Sequence, residues 1–96
     1  VVKVDGTPMD FRLAKAIGKD MDQRFDQLQY GNGYDCNWVV NKPEGELGLA
    51  ARVVESNSGR ILDVWTTQPG IQLYTANFMN VKGKGGSFYR SRQSFC

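Results

Sequence analysis

The stretch Leu47-Gly48-Leu49-Ala50-Ala51-Arg52-Val53-Val54-Glu55-Ser56-Asn57-Ser58-Gly59-Arg60-Ile61-Leu62-Asp63-Val64-Trp65-Thr66-Thr67 decides the fold class. Its two apolar, β-branched halves flank a polar Asn-Ser-Gly step. Residues 47–55 read as one strand, with Leu49, Ala51 and Val53 expected on one face. Residues 61–67 read as the next. Asn57-Ser58-Gly59 is turn chemistry, so the two halves are expected to form an antiparallel hairpin.

Working outward, the same grammar repeats. Tyr34, Cys36, Trp38 and Val40 alternate with Asp35, Asn37 and Val39, which is strand period. Asn41-Lys42-Pro43-Glu44-Gly45-Glu46 is a polar turn. Gln68-Pro69-Gly70 turns the chain again, and residues 71–78 read as a further strand. Residues 80–87, with Gly83, Gly85 and Gly86, read as an exposed loop, and Phe88-Tyr89 opens a last segment. Upstream, residues 1–4 and 9–13 read as short strands separated by the turn Asp5-Gly6-Thr7-Pro8. Leu13, Ile17, Met21, Phe25 and Leu28 recur at helical spacing. Gly18 and the clustered Asp20, Asp22 and Asp26 interrupt that pattern, so a loop with one or two helical turns is expected. Short strands joined by turns, with little helix, predict a mainly β chain built as an antiparallel β-sandwich.

With 96 residues and 41% hydrophobic residues, the chain has room for one domain and the composition of a globular one. No apolar run approaches the length of a membrane span, and no signal peptide is visible. The chain contains no histidine, which excludes a Ser-His or Cys-His nucleophile pair and any His-ligated zinc site. The two cysteines, Cys36 and Cys96, are too few for a thiolate metal site. They allow one disulfide or two thiols, and free thiols are expected.

Net charge is +2, unevenly placed. All ten acidic residues lie within residues 1–63, and residues 64–96 carry only Lys82, Lys84, Arg90 and Arg92. Four charges are thin for a phosphate footprint, so no nucleic-acid partner is expected. Lys82-Gly83-Lys84-Gly85-Gly86 lacks the Gly-Lys-Ser/Thr ending of a phosphate loop. The carboxylate pairs Asp20/Asp22 and Glu44/Glu46 sit in polar connections and read as solvated. Asp35 stands within an apolar strand beside Tyr34 and Trp38, and Gln72 shares a strand face with Tyr74. From spacing alone, Asp35 reads as a strand-end residue bonding its own turn and Gln72 as a solvent-facing amide.

A family resemblance alters those readings. Gly33-Tyr34-Asp35-Cys36-Asn37-Trp38-Val39-Val40 resembles the Gly-Tyr-Asp-His-Asn-Phe-Val-Leu segment of the galactose mutarotases, or aldose 1-epimerases. Ala50-Ala51-Arg52-Val53, Ser58-Gly59-Arg60 and the run from Val64 to Phe78 are similar to the same family in the same order. So are Gly6-Thr7-Pro8-Met9-Asp10-Phe11-Arg12, Ile17-Gly18-Lys19-Asp20, Gly83-Lys84-Gly85-Gly86 and Ser94-Phe95-Cys96. The resemblance implies residues 1–96 are one partial domain, the C-terminal portion of a larger mutarotase-like β-sandwich, with the remainder of the parent chain needed to complete the fold.

It further implies an enzyme interconverting the α and β anomers of free aldoses such as galactose and glucose, without metal or organic cofactor. In that family a carboxylate base and a histidine acid move the protons. The histidines lie in segments this chain does not contain, and the base glutamate belongs to a Phe-Cys-Leu-Glu-Thr motif of which only Phe95 and Cys96 are present. No catalytic group is therefore expected here, and the chain alone is expected to be inactive. Asp35 and Gln72 are implied as ligands of sugar hydroxyls. Cys36 departs from the family's histidine at that position, which is not one of the catalytic pair. The alternative is a non-catalytic carbohydrate-binding module on the same sandwich, or a domain that kept the fold and lost the site. A cytoplasmic location is the expectation, with periplasm or secretion as alternatives.

Overall fold

A computed structural model describes residues 1–96. Its elements are a short helix α1 (Asp26–Gly31), strands β1 (Asp35–Val39), β2 (Gly48–Glu55), β3 (Arg60–Thr66), β4 (Gly70–Tyr74) and β5 (Val81–Lys82), a 3-10 turn (Lys84–Gly86), and β6 (Phe88–Tyr89). The strands form three two-stranded sheets, β1 with β4, β2 with β3, and β5 with β6. The chain is mainly β and antiparallel, as its alternating apolar pattern requires. No helix is long and apolar enough to cross a membrane. Two compact units are present: Val1–Cys36 with Leu73–Cys96, and Asn37–Gln72.

The second unit is built on the β2–β3 hairpin, paired from Gly48↔Thr66 to Glu55↔Arg60. The turn closes through Gly59, whose N–H donates to the Glu55 carbonyl at 2.8 Å. Its φ of +72° is a left-handed conformation open to glycine at little cost. The Glu55 carboxylate accepts from the amides of Asn57 and Ser58 at 2.9 and 2.8 Å, and a bond from the Ser58 side chain, helped by these amides, holds its pKa below the ordinary glutamate value. One expectation fails here. The register shifts between Leu49 and Ala51, so Leu49 lies opposite Trp65 while Ala51 lies opposite Val64. The bulge turns Leu49 to the face opposite Ala51 and Val53, since each extra residue reverses the side-chain alternation. On the Leu49 face, Arg52 grips Asp63 through two bonds of 2.6 and 2.7 Å.

The first unit holds the core. Met9, Met21, Leu28, Tyr34 and Ala76 are buried, together with the polar Thr75 and Asn77. The strands expected at residues 1–4 and 9–13 are not formed. Val4 instead opens a turn, its carbonyl accepting from the Thr7 amide at 3.0 Å and the Thr7 hydroxyl at 2.7 Å. Asp10 captures the amide and Nε of Arg12 at 3.1 and 2.9 Å, which curls the backbone out of an extended path. Those bonds from Arg12 hold the Asp10 carboxyl down to about 2.

Residues 13–25 pass through successive turns, and the helical spacing is realised only in α1, which buries Leu28. Asn32 closes α1 in the left-handed region at φ 53°, with its N–H bonded to the Gln29 carbonyl and the Gly33 N–H bonded to the Leu28 carbonyl. That double closure satisfies two carbonyls the helix end would otherwise orphan. The strand expected over residues 71–78 stops at Tyr74, because Ala76 adopts a left-handed φ of 50°. The expected loop at residues 80–87 is instead a tight β5–β6 hairpin, closed by a 2.6 Å bond from the Gly83 N–H to the Ser87 carbonyl.

Candidate functional site

Asp35 is the first residue of β1 and belongs to the first unit; its side chain is exposed. What fixes its position is the residue before it. Tyr34 is wholly buried. Its amide donates to the Thr75 hydroxyl at 3.0 Å, and its carbonyl accepts from the Thr75 amide at 3.1 Å and the Asn77 side-chain amide at 2.9 Å. The Thr75 hydroxyl donates in turn to Asn77 Oδ1 at 2.5 Å. Every buried polar side-chain atom of this knot has a partner, as a low-dielectric interior demands.

The phenol of Tyr34 donates to the Pro8 carbonyl at 2.8 Å, and its ring meets Phe11 edge-on with centroids 5.2 Å apart. Lys15 caps the same carbonyl at 2.8 Å, pairs with Asp20 at 2.7 Å and lies 4.5 Å from the Phe11 ring centroid. Burial pushes the Tyr34 phenol up to about 12.

Gly33 lets the chain reach this knot. A Cβ there would stand 2.3 Å from Asn77 Oδ1 and 2.9 Å from Thr75 Oγ1, and φ is +139°. Only glycine fits such an approach.

Gln72 is the central residue of β4 and belongs to the second unit; it is exposed between the half-buried Ile71 and Leu73. In that unit the Val40 amide bonds the Pro69 carbonyl at 2.9 Å, and Gly70 backs directly onto Asn37. In the first unit, Tyr74 and Cys96 exchange backbone bonds of 2.8 and 2.9 Å. Cys36 and Cys96 are free thiols, Cys36 donating to Gln27 Oε1 at 3.0 Å. No group of three or more His, Cys, Asp or Glu side chains is arranged to hold a metal ion.

An open cleft of about 380 Å³ also lies on the first unit, lined by residues including Ile17, Met21, Asp22, Thr75, Arg92 and Phe95. Sequence reasoning missed Thr75, Asn77 and Arg92. The signal for the first two was present: two polar residues flank Ala76 just beyond an apolar strand, where interior packing makes each require a partner.

A family model described as aldose 1-epimerase matches residues 1–96. The chain belongs to the aldose 1-epimerase family. It is 42% identical over 98 residues to the galactose mutarotase of Homo sapiens and 41% identical to that of Bos taurus. Each match covers all of this chain and 27% of the relative, so the chain spans about a quarter of the length of these relatives. It is 34% identical over 76 residues to the aldose 1-epimerase of Escherichia coli (strain K12), which covers 79% of this chain and 22% of that protein. These matches establish the family and the share of length. They do not establish the placement toward the C-terminal end that the motif order led us to expect.

Proposed function

We propose that the whole protein interconverts the α and β anomers of free aldoses such as galactose and glucose, and that this chain supplies part of the sugar-holding surface. The observation that carries the reading is family membership over the full 96 residues. In this reading a carboxylate base takes the C1 hydroxyl proton while a histidine protonates the ring oxygen. The ring opens, the C1–C2 bond rotates, and the ring recloses on the other face. General acid–base help of this kind is worth about 10²–10⁴-fold per group. The chain holds no histidine, so the acid of this pair lies outside it.

Asp35 and Gln72 are proposed as the sugar ligands. A carboxylate accepts from hydroxyls, and an amide both donates and accepts, so each side chain suits a sugar hydroxyl. The buried knot at Tyr34, Thr75 and Asn77 supports this role for Asp35, because a ligand on a rigid strand start loses little freedom on binding.

Polarimetry on freshly dissolved α-galactose tests the proposal. The whole protein is expected to accelerate mutarotation and the 96-residue chain to leave the spontaneous rate unchanged. A whole protein without effect on galactose or glucose would refute the activity, and a catalytic 96-residue chain would refute the division of labour.

A further inference from the structure

Arg92 occupies an unusual position in the first unit. Its φ is +64°, and the only other non-glycine residues with positive φ are Asn32 and Ala76. All three are joined. The Arg92 amide donates to the Ala76 carbonyl at 3.1 Å. Its Nε donates to the Asn32 carbonyl at 2.8 Å, and one terminal nitrogen reaches Asn32 Oδ1 at 3.4 Å. The other terminal nitrogen pairs with Asp22 at 2.6 Å. Asn32 closes the circuit by donating to the Asn77 carbonyl at 3.1 Å, which also accepts from the Ser91 hydroxyl at 2.6 Å.

The arrangement contributes little to stability. The end of α1 is already closed by the amides of Asn32 and Gly33, without Arg92. Asp22 is 84% exposed, where an ion pair gains little. Left-handed backbone at a residue with a side chain is disfavoured, and it persists where the surroundings over-determine it, often at ligand sites. What the circuit does provide is geometry. Arg92 grips the carbonyl from which Gly33, Tyr34 and Asp35 run.

We infer that Arg92 is a positioning residue for Asp35, holding the Asn32 turn so that the carboxylate meets the sugar at a fixed place. The role rests on the reading of Asp35 as a sugar ligand. Arg92 does not touch the sugar; it acts through the three-residue link.

The test uses the whole protein, comparing Arg92→Ala, Arg92→Lys and Asp22→Asn by steady-state mutarotation of galactose and by thermal unfolding. Arg92→Ala is expected to raise KM at least about tenfold, in keeping with the cost of a misplaced binding group, while kcat stays within about threefold. Arg92→Lys keeps one donor and is expected to fall between wild type and alanine. Asp22→Asn leaves the grip on Asn32 intact and is expected to stay within about twofold, since exposed ion pairs contribute little.

An unchanged KM in a folded Arg92→Ala protein would overturn the inference. So would a kcat that falls only with the folded fraction at constant KM, or an Asp22→Asn defect equal to that of Arg92→Ala. Should the alanine variant fail to fold, Arg92→Lys decides: a raised KM with unchanged melting supports positioning, and an unchanged KM refutes it. A wild-type protein that neither binds nor turns over galactose refutes the sugar reading itself, and the positioning role falls with it.

Discussion

Gly33→Ala isolates the contact on which the position of Asp35 depends. The added methyl would stand 2.3 Å from Asn77 Oδ1, 2.8 Å from Asn77 Cγ and 2.9 Å from Thr75 Oγ1. None of these atoms belongs to a free-ending side chain. Asn77 is held by Tyr34 and Thr75, and Thr75 by Tyr34 and Asn77. Yielding to the methyl therefore strips at least one buried polar group of its partner, at about 1–3 kcal/mol. The φ of +139° adds about 1–3 kcal/mol of backbone strain for any residue with a side chain. A total near 4 kcal/mol follows, a large share of the roughly 5–15 kcal/mol that stabilises a domain. Gly6→Ala is the control in the same unit. It meets nothing within 4 Å and has φ +70°, so only the left-handed backbone term of about 1 kcal/mol applies. Urea unfolding followed by circular dichroism of both variants measures the difference. Equal destabilisation by the two substitutions would refute the close approach at Gly33.

Alkaline titration reads the burial of Tyr34. Its folded pKa, about 12, lies above the unfolded value near 10, so the stability tied to its neutral phenol is full below pH 10 and is lost as pH rises through 12. Phenolate absorbance is expected to show Tyr34 resisting ionisation to near pH 12; a Tyr34→Phe variant whose alkaline titration loses no late-ionising phenol would contradict it. Asn77→Ala removes two buried hydrogen bonds while leaving Tyr34 and Thr75 bonded to each other, so a loss of about 2 kcal/mol in urea unfolding is expected. A loss below about 0.5 kcal/mol would mean the knot is not tight.

The β2–β3 hairpin was legible because its signals agree: β-branched residues on both sides of a Ser-Gly turn. The bulge beside Ala50 was not, since Leu49, Ala50 and Ala51 are all apolar and the alternation is silent there. Residues 1–4 have strand composition, yet no strand pairs with them, and Val1 and Val2 remain exposed. Strand propensity without a partner does not make a strand. In residues 71–78 the apolar pattern runs on, but the left-handed turn at Ala76 ends β4, its carbonyl accepting from the amides of both nearby Met79 and distant Arg92.

The candidate site divides in the same way. Asp35 and Gln72 enter as candidates only through the family resemblance of the segments around them, since from spacing alone they read as a strand-end residue and a solvent-facing amide. Arg92 was hidden because its partners, Asp22, Asn32 and Ala76, are scattered along the chain. Its reading as part of a basic tail followed from local charge alone.

The most direct measurement is equilibrium binding of galactose to the whole protein by isothermal titration calorimetry, for wild type, Asp35→Asn and Gln72→Ala. Gln72→Ala leaves a sugar hydroxyl without its partner, and Asp35→Asn removes the charge that strengthens the bonds to its hydroxyls, each at about 1–3 kcal/mol. Binding about tenfold weaker, or more, with circular dichroism unchanged, is the expected result. Wild-type affinity in both folded variants would contradict the assignment of this chain as a sugar-holding part of an aldose 1-epimerase.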